Sequence, residues 1–132
     1  MAQHHSTSPQ NARDFEEQVV QKCQELGLRV YRQAKMGTRI WGAKRKVDIV
    51  VEHPQTRKRL GIECKYQKKK GTAEQKIYAT LEDMKAWPIR GIVVVGGEGF
   101  SEKTLFALMA TGNVIHINDL EQWLRFFFGM DI

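Results

Sequence analysis

The chain has 132 residues, of which 42% are hydrophobic and 27% charged, and its formal net charge is +6. This composition predicts a single domain over residues 11–132, preceded by a disordered polar leader at residues 1–10. No apolar run reaches the roughly 18 residues of a membrane-spanning helix, so no membrane partner is expected. Cys23 and Cys64 lie at apolar positions of predicted elements. They therefore predict buried free thiols and a cytoplasmic location rather than a disulfide.

Helices and strands alternate along the chain. Phe15, Val19, Cys23 and Leu26 recur at helical spacing and predict a first helix from Asn11 to Gly27. Strands are predicted at 28–32, 45–51, 59–67, 91–96 and 114–117, and further helices at 73–87, at 101–110 and from about 119 to 128. Residues 33–43 predict a basic loop. The continuous apolar run at 92–95 predicts a strand that is buried on both faces. The order is typical of a three-layer α/β domain with a central mixed β-sheet flanked by helices, an αβββαβ core being followed by helix, strand and helix.

Two strand-like runs carry charges where such runs are normally apolar. Asp48 precedes the apolar run 49–51, while Glu63 and Lys65 alternate with apolar residues in the next strand. Alternation at period two places Glu63 and Lys65 on one face of that strand. Charges in a half-buried strand are costly unless they pair or bind something. Two carboxylates can hold a divalent metal and a nearby lysine can help activate water, but a structural ion pair is the other explanation.

The positive charge is concentrated around these strands. Between Arg29 and Lys76 there are 15 Lys and Arg residues against four acids, whereas acids predominate in the rest of the chain. A basic region is typical of proteins that bind polyanions such as nucleic acids, although a solvated surface explains any single run equally well. The basic residues expected around the two strands are Arg39, Lys44, Arg45, Lys46, Arg57, Lys58, Arg59, Lys68, Lys69 and Lys70.

The order of these elements resembles the core of the PD-(D/E)XK nuclease superfamily, which has a helix with a glutamate, a hairpin of the form D…ExK, and then a helix and a strand. The resemblance covers about residues 11 to 96, and Val47 stands where the motif has proline. It implies a restriction endonuclease-like fold and a metal-dependent endonuclease that hydrolyses phosphodiester bonds of duplex or branched DNA. Products carrying a 5′-phosphate and a 3′-hydroxyl are implied as well.

The resemblance also implies a role for each matching residue. Asp48 and Glu63 would ligate Mg²⁺, for which Mn²⁺ can substitute, with the backbone carbonyl of Cys64 as a third ligand. Lys65 would orient or deprotonate the attacking water, and Glu16 would reach the metal through water. Glu16 is preferred to Glu17 because it lies about 44° from the centre of the helix's apolar face, whereas Glu17 lies about 144° away.

Several further residues are candidates for contacting phosphates or bases. Gln67 continues the face of Glu63 and Lys65, but a polar strand end explains it equally well. Lys76 lies near the start of the second predicted helix, and Trp41 in the basic loop either stacks on a base or packs on the core. The complete set of candidates for phosphate or DNA binding is Gln67, Lys68, Lys69, Lys70, Lys76, Arg39, Lys44, Lys46 and Trp41.

The sequence is also compatible with other functions and with a homodimer. The main alternative is a non-catalytic nucleic-acid-binding or assembly module that keeps the nuclease fold, and a basic RNA-processing protein is a weaker one. Small size favours a structure-selective or partner-guided enzyme, either resolvase-like or restriction-type. Phe126, Phe127 and Phe128 cannot all face one core, so they predict a homodimer interface.

Overall fold

The computed structural model describes residues 8–39, 42–71 and 73–131. Most of the predicted leader, as well as Trp41, lies outside the described residues. The helices and strands, in chain order, are α1 (Ala12–Glu25), β1 (Arg29–Thr38), β2 (Lys44–Glu52), β3 (Arg59–Tyr66), α2 (Ala73–Met84), β4 (Gly91–Gly96), α3 (Glu102–Met109), β5 (Val114–His116), a short 3-10 turn (Ile117–Asp119) and α4 (Leu120–Phe128).

The last residues of the predicted leader contact the domain. The hydroxyl of Tyr66 donates to the carbonyl of Pro9 over 2.8 Å. Pro9 is therefore attached to the end of β3, and the division of the chain into a polar leader and one domain stays a prediction.

The strands form one mixed sheet in the order β1-β2-β3-β4-β5. β2 pairs antiparallel with both β1 and β3, while β4 pairs parallel with β3 and β5. The predicted antiparallel hairpin of β2 and β3 is thus confirmed, as is the mixed sheet flanked by helices. Among the described helices, none is long and apolar enough to cross a membrane.

Helices cover both faces of the sheet. Phe15 and Val19 of α1 pack with Leu124 of α4 in one buried cluster, whereas Ile77 of α2 and Leu108 of α3 belong to another. The run Ile92–Val95 of β4 supplies alternate residues to the two clusters. This confirms the expectation that a continuous apolar run forms a strand buried on both faces.

The first hairpin differs from its prediction, because most of the predicted loop at 33–43 is strand. β1 continues to Thr38, and Ala34 and Met36 pack with Trp87 on the α2 side of the sheet. Gly37, Gly42 and the basic residues Lys35 and Arg39 favoured a loop, although Ala34 and Met36 alternate with polar residues as in a strand. The sequence therefore suggested a basic loop, whereas pairing with β2 makes the segment a strand.

The C-terminal aromatic residues have three different environments. Phe128 is buried in the core, and Phe127 stacks on Trp123 with the Lys58 ammonium over its ring. Phe126 is 64% exposed. The three rings do point to different surroundings, but the homodimer stays a prediction.

Candidate active site

Asp48 and Glu63 lie where β2 and β3 stop pairing through their backbones. The last backbone pair in this register is Ile49 with Ile62. Beyond it, the Asp48 N–H donates to Oε2 of Glu63 over 3.0 Å, and the Cys64 N–H donates to Oδ2 of Asp48 over 2.9 Å. The carboxylates thus replace the backbone hydrogen bonds, and the strands separate around them.

The backbone of β1 is also irregular beside Asp48. Gln33 lies between the cross-strand pairs Arg32–Ile49 and Ala34–Val47, and its φ is +52°. Ile49 belongs to the cluster on the α1 side, whereas Val47 packs with Trp87 on the α2 side. Since residues two apart in a regular strand share a face, this change of side indicates a sharp twist of the hairpin at Asp48.

Glu63 is a buried carboxyl group beside another carboxyl group. It is 9% exposed. Burial first, and then the hydrogen bond and charge of Asp48, raise the pKa of Glu63 to about 8. The charge of Lys65 and the Asp48 N–H act in the opposite direction. Without a bound cation, Glu63 therefore retains its proton at neutral pH, because burial and the neighbouring Asp48 disfavour its charged form.

Lys65 and Glu63 share one face of β3, as the alternation predicts. The apolar residues Leu60 and Ile62 point into the α1-side core, with Cys64 packed against it. Glu63 lines a cleft between the motif strands and α2, together with Arg39, Arg45, Thr80 and Asp83. The carboxyl group is thus accessible from the α2 side of the sheet.

Glu16 approaches the motif from α1. Its side chain is 18% exposed and that of Glu17 is 48% exposed, as the helical wheel predicts. Burial raises the pKa of the Cys64 thiol well above its usual value, and the charges of Asp48, Glu16 and Glu63 raise it further. Glu16 is thus near enough to Cys64, the residue after Glu63, for its charge to act on that thiol.

Arg32 is a site residue that sequence reasoning missed. Its guanidinium donates to Glu16 through one nitrogen and to Glu17 through the other. It lies on β1 in register with Ile49, next to Asp48. No local pattern could have revealed this contact, because the partners are 16 residues apart and on different elements.

Several predicted basic neighbours are already engaged in internal contacts. Arg45 is buried, its Nε donates to both carboxylate oxygens of Asp83, and one of its terminal nitrogens donates to the Met36 carbonyl. Arg57 and Arg59 both contact the fully buried Glu52 at the far end of β2. Lys58 binds the carbonyl of Phe127. Arg45 is thus wrongly predicted to be part of a basic surface, whereas Arg57, Lys58 and Arg59 are exposed at the end of the hairpin away from Asp48.

The remaining basic candidates are exposed. Arg39 lines the cleft with Glu63. The exposed basic side chains of this set are Arg39, Lys44, Lys46, Lys68, Lys69, Lys70 and Lys76.

Gln67 has an internal structural contact. Its side chain is buried, and its amide Nε2 donates to the Gly99 carbonyl over 2.9 Å. The Gln67 carbonyl accepts from the Gly99 N–H. This residue fastens the end of β3 to the loop after β4, and its contact with a phosphate remains a prediction.

The donor atoms of the motif suit a hard divalent cation. Asp48 and Glu63 each use one carboxylate oxygen for a backbone N–H and retain a second oxygen. Oxygen donors with negative charge are the ligands that Mg²⁺ and Mn²⁺ prefer. Within the described residues, no three His, Cys, Asp or Glu side chains are grouped closely enough to hold a metal. Glu16 is accordingly not a direct third ligand in this arrangement.

A model of the PD-(D/E)XK nuclease superfamily domain matches residues 7–123. The match includes every motif residue discussed above and most of the chain. The chain belongs to the PD-(D/E)XK nuclease superfamily. Its mixed sheet with flanking helices is the restriction endonuclease-like fold of this superfamily.

Two solved structures are similar to this superfamily member. AF1548, a protein of unknown function, gives a TM-score of 0.54 at 16% identity, covering 77% of this chain and 56% of that one. A repair endonuclease from Pyrococcus abyssi gives a TM-score of 0.44 at 16% identity, covering 84% of this chain and 48% of that one. The chain thus spans about half the length of each. A comparison with curated proteins gave no match.

Proposed function

We propose that this protein is a Mg²⁺-dependent DNA endonuclease that hydrolyses phosphodiester bonds, with Mn²⁺ as an alternative metal. The observation that carries the proposal is the adjacency of the half-buried Asp48 and the buried Glu63 at the split between β2 and β3, with Lys65 on the face of Glu63. Membership of a nuclease superfamily supports it. A structural ion pair would place a cation against each carboxylate, whereas Asp48 and Glu63 lie side by side and each accepts a backbone N–H from the strand of the other.

Asp48 and Glu63 would hold the metal through their remaining oxygens, with the backbone carbonyl of Cys64 as a third ligand. When bound, the metal acts as a Lewis acid on the scissile phosphate and lowers the pKa of its bound water. Glu63 must lose its proton before both carboxylates can serve as ligands, since its pKa is raised to about 8.

Lys65 is the residue that would act on the attacking water. Its ammonium is close enough to lower the pKa of Glu63, and it lies on the same face of β3. From there it would orient or deprotonate the water and offset charge that develops on the phosphate. Glu16 would act at longer range, through a water molecule.

The substrate is proposed to be duplex or branched DNA whose structure, or a partner protein, directs cleavage. One domain accounts for the described chain, and its elements are those of the nuclease core with a short C-terminal addition. A resolvase-like and a restriction-type activity both fit this arrangement.

Cleavage assays on labelled nucleic acids test the proposal. Linear duplex DNA, single-stranded DNA, a four-way junction and duplex RNA are incubated with Mg²⁺ or Mn²⁺ and with wild type, Lys65→Ala or Lys103→Ala. Lys103 is an exposed lysine on α3 and provides a charge-matched control. We expect metal-dependent cleavage of DNA that Lys65→Ala lowers by about 10²-fold or more and Lys103→Ala leaves unchanged.

The same assay can contradict the proposal in two ways. DNA binding without cleavage, unaffected by metal and by Asp48→Ala, would favour the non-catalytic binding module. Preferential cleavage of the RNA would favour an RNA-processing enzyme instead.

A further inference from the structure

Two lysines face each other across the first hairpin. Lys35 of β1 is directly paired in register with Lys46 of β2. Side chains at directly opposed positions have Cβ atoms about 5 Å apart, and like charges there destabilise the sheet. A hydrophobic or oppositely charged pair at these positions would be the more stable choice.

No internal partner compensates for this repulsion. Both lysines are exposed, and neither side chain takes part in the ion pairs or hydrogen bonds of the described residues. Their neighbours Ala34 and Val47 point instead into the Trp87 cluster. Lys35 and Lys46 therefore lie on the outer face of the hairpin, where Lys44 is also exposed.

This lysine pair lies close to the motif. Lys46 precedes Asp48 by two positions on β2, which corresponds to roughly 7 Å along a strand. Gln33 is the residue of β1 that lies beside Asp48, and Lys35 follows it by two positions. The twist at Gln33 and Asp48 thus lies between the candidate carboxylates and the exposed lysines Lys35 and Lys46.

We propose that Lys35 and Lys46 form a binding site for the phosphodiester backbone of duplex DNA, which positions the strand that enters the Asp48–Glu63 site. The proposal rests on the proposed nuclease function for the identity of the polyanion. A phosphate bound between the two ammonium groups would attract both of them and offset their mutual repulsion. Lys35 is not a residue that sequence reasoning had singled out, because its significance depends on the cross-strand register.

Charge-reversal variants distinguish a phosphate-binding site from an ordinary solvated surface. Lys35→Glu places a carboxylate opposite Lys46, so it should raise the melting temperature of the protein. The same change removes one phosphate contact and adds repulsion, so it should weaken DNA binding by about tenfold at low salt. The slope of log K against log salt concentration should decrease by about one, as expected for the loss of one phosphate contact. Lys103→Glu, with the same change of net charge on α3, is the matched control.

Four variants complete the measurement: Lys35→Glu, Lys46→Glu, the double variant, and Lys103→Glu. Duplex binding is followed by fluorescence anisotropy at several salt concentrations without divalent metal, and stability by thermal unfolding. We expect each hairpin single variant to be more stable and to bind more weakly than Lys103→Glu. The double variant restores a like-charge pair, so it should lose the gain in stability and bind weakest of all.

The outcomes are distinguishable from those of the cleavage assay. Equal binding by Lys35→Glu and Lys103→Glu would overturn the proposed site, as would a wild type that does not bind duplex DNA at low salt. If binding depends on Lys35 and Lys46 but no metal supports cleavage, the site stands and the nuclease function fails.

Discussion

The side-chain carboxylate of Glu63 accepts the backbone N–H of Asp48, and the carboxylate of Asp48 accepts the backbone N–H of Cys64. Each acid is thus held by the strand that carries the other. This reciprocal arrangement locks the two carboxylates beside each other even though their charges repel. It also explains why the strands separate at this point and not elsewhere along the hairpin.

The stability of the metal-free protein should fall with increasing pH because of Glu63. Burial and Asp48 raise the pKa of Glu63 from 4.5 to about 8 in the folded protein. The resulting stability is fully present below about pH 4.5 and is lost as the pH rises through about 8. Thermal unfolding in chelator between pH 5 and 9 should show this loss in wild type and a smaller one in Glu63→Gln. Parallel curves for the two proteins would contradict the prediction.

Binding of Mg²⁺ should release a proton near neutral pH. A carboxyl group with a pKa of about 8 is largely protonated at pH 7, and it must ionise to become a ligand. Isothermal titration calorimetry in two buffers of different ionisation enthalpy measures the number of protons released. We expect a value approaching one for wild type at pH 7, which falls as the pH rises through about 8 and is small at pH 9. Equal heats in the two buffers at pH 7 would show that Glu63 is already ionised.

Arg32 should act as a positioning residue for Glu16. Arg32→Gln removes the guanidinium that joins Glu16 and Glu17, so Glu16 loses its fixed orientation and cleavage should slow by about tenfold. Glu17→Gln keeps the contact between Arg32 and Glu16 and serves as the control, with a smaller effect. The affinity for duplex DNA, measured in parallel, should change little in Glu17→Gln. Equal rates for Arg32→Gln and wild type would exclude the positioning role.

Arg45 and Asp83 should stabilise the fold by joining the first hairpin to α2. The Nε of Arg45 donates to both carboxylate oxygens of Asp83, and the indole of Trp87 donates a further hydrogen bond to the same carboxylate. Burial acts to raise the pKa of Asp83, but Arg45 and Trp87 outweigh it and hold that pKa below its ordinary value. Arg45→Ala should lower the free energy of unfolding by about 1–3 kcal/mol, measured by urea denaturation. Lys44→Ala, at the neighbouring exposed position, should change it by under about 0.5 kcal/mol.

The local pattern of the sequence singled out the residues of the candidate active site. Alternation around Glu63 and Lys65 predicted their common face, and helical spacing in α1 distinguished Glu16 from Glu17. The continuous apolar run at 92–95 predicted a strand buried on both faces. These features follow from the periodicity of single elements, which neighbouring residues alone specify.

Tertiary structure decided which charges are available for binding. The sequence shows Arg45 as one of three consecutive basic residues, yet Arg45 is buried against Asp83, 38 positions away. The register of β1 and β2 brought Lys35 opposite Lys46, and the packing of α1 on the sheet brought Arg32 to Glu16. A charge in a sequence gives no information about its partner, because ion pairs form between residues that only the folded chain brings together.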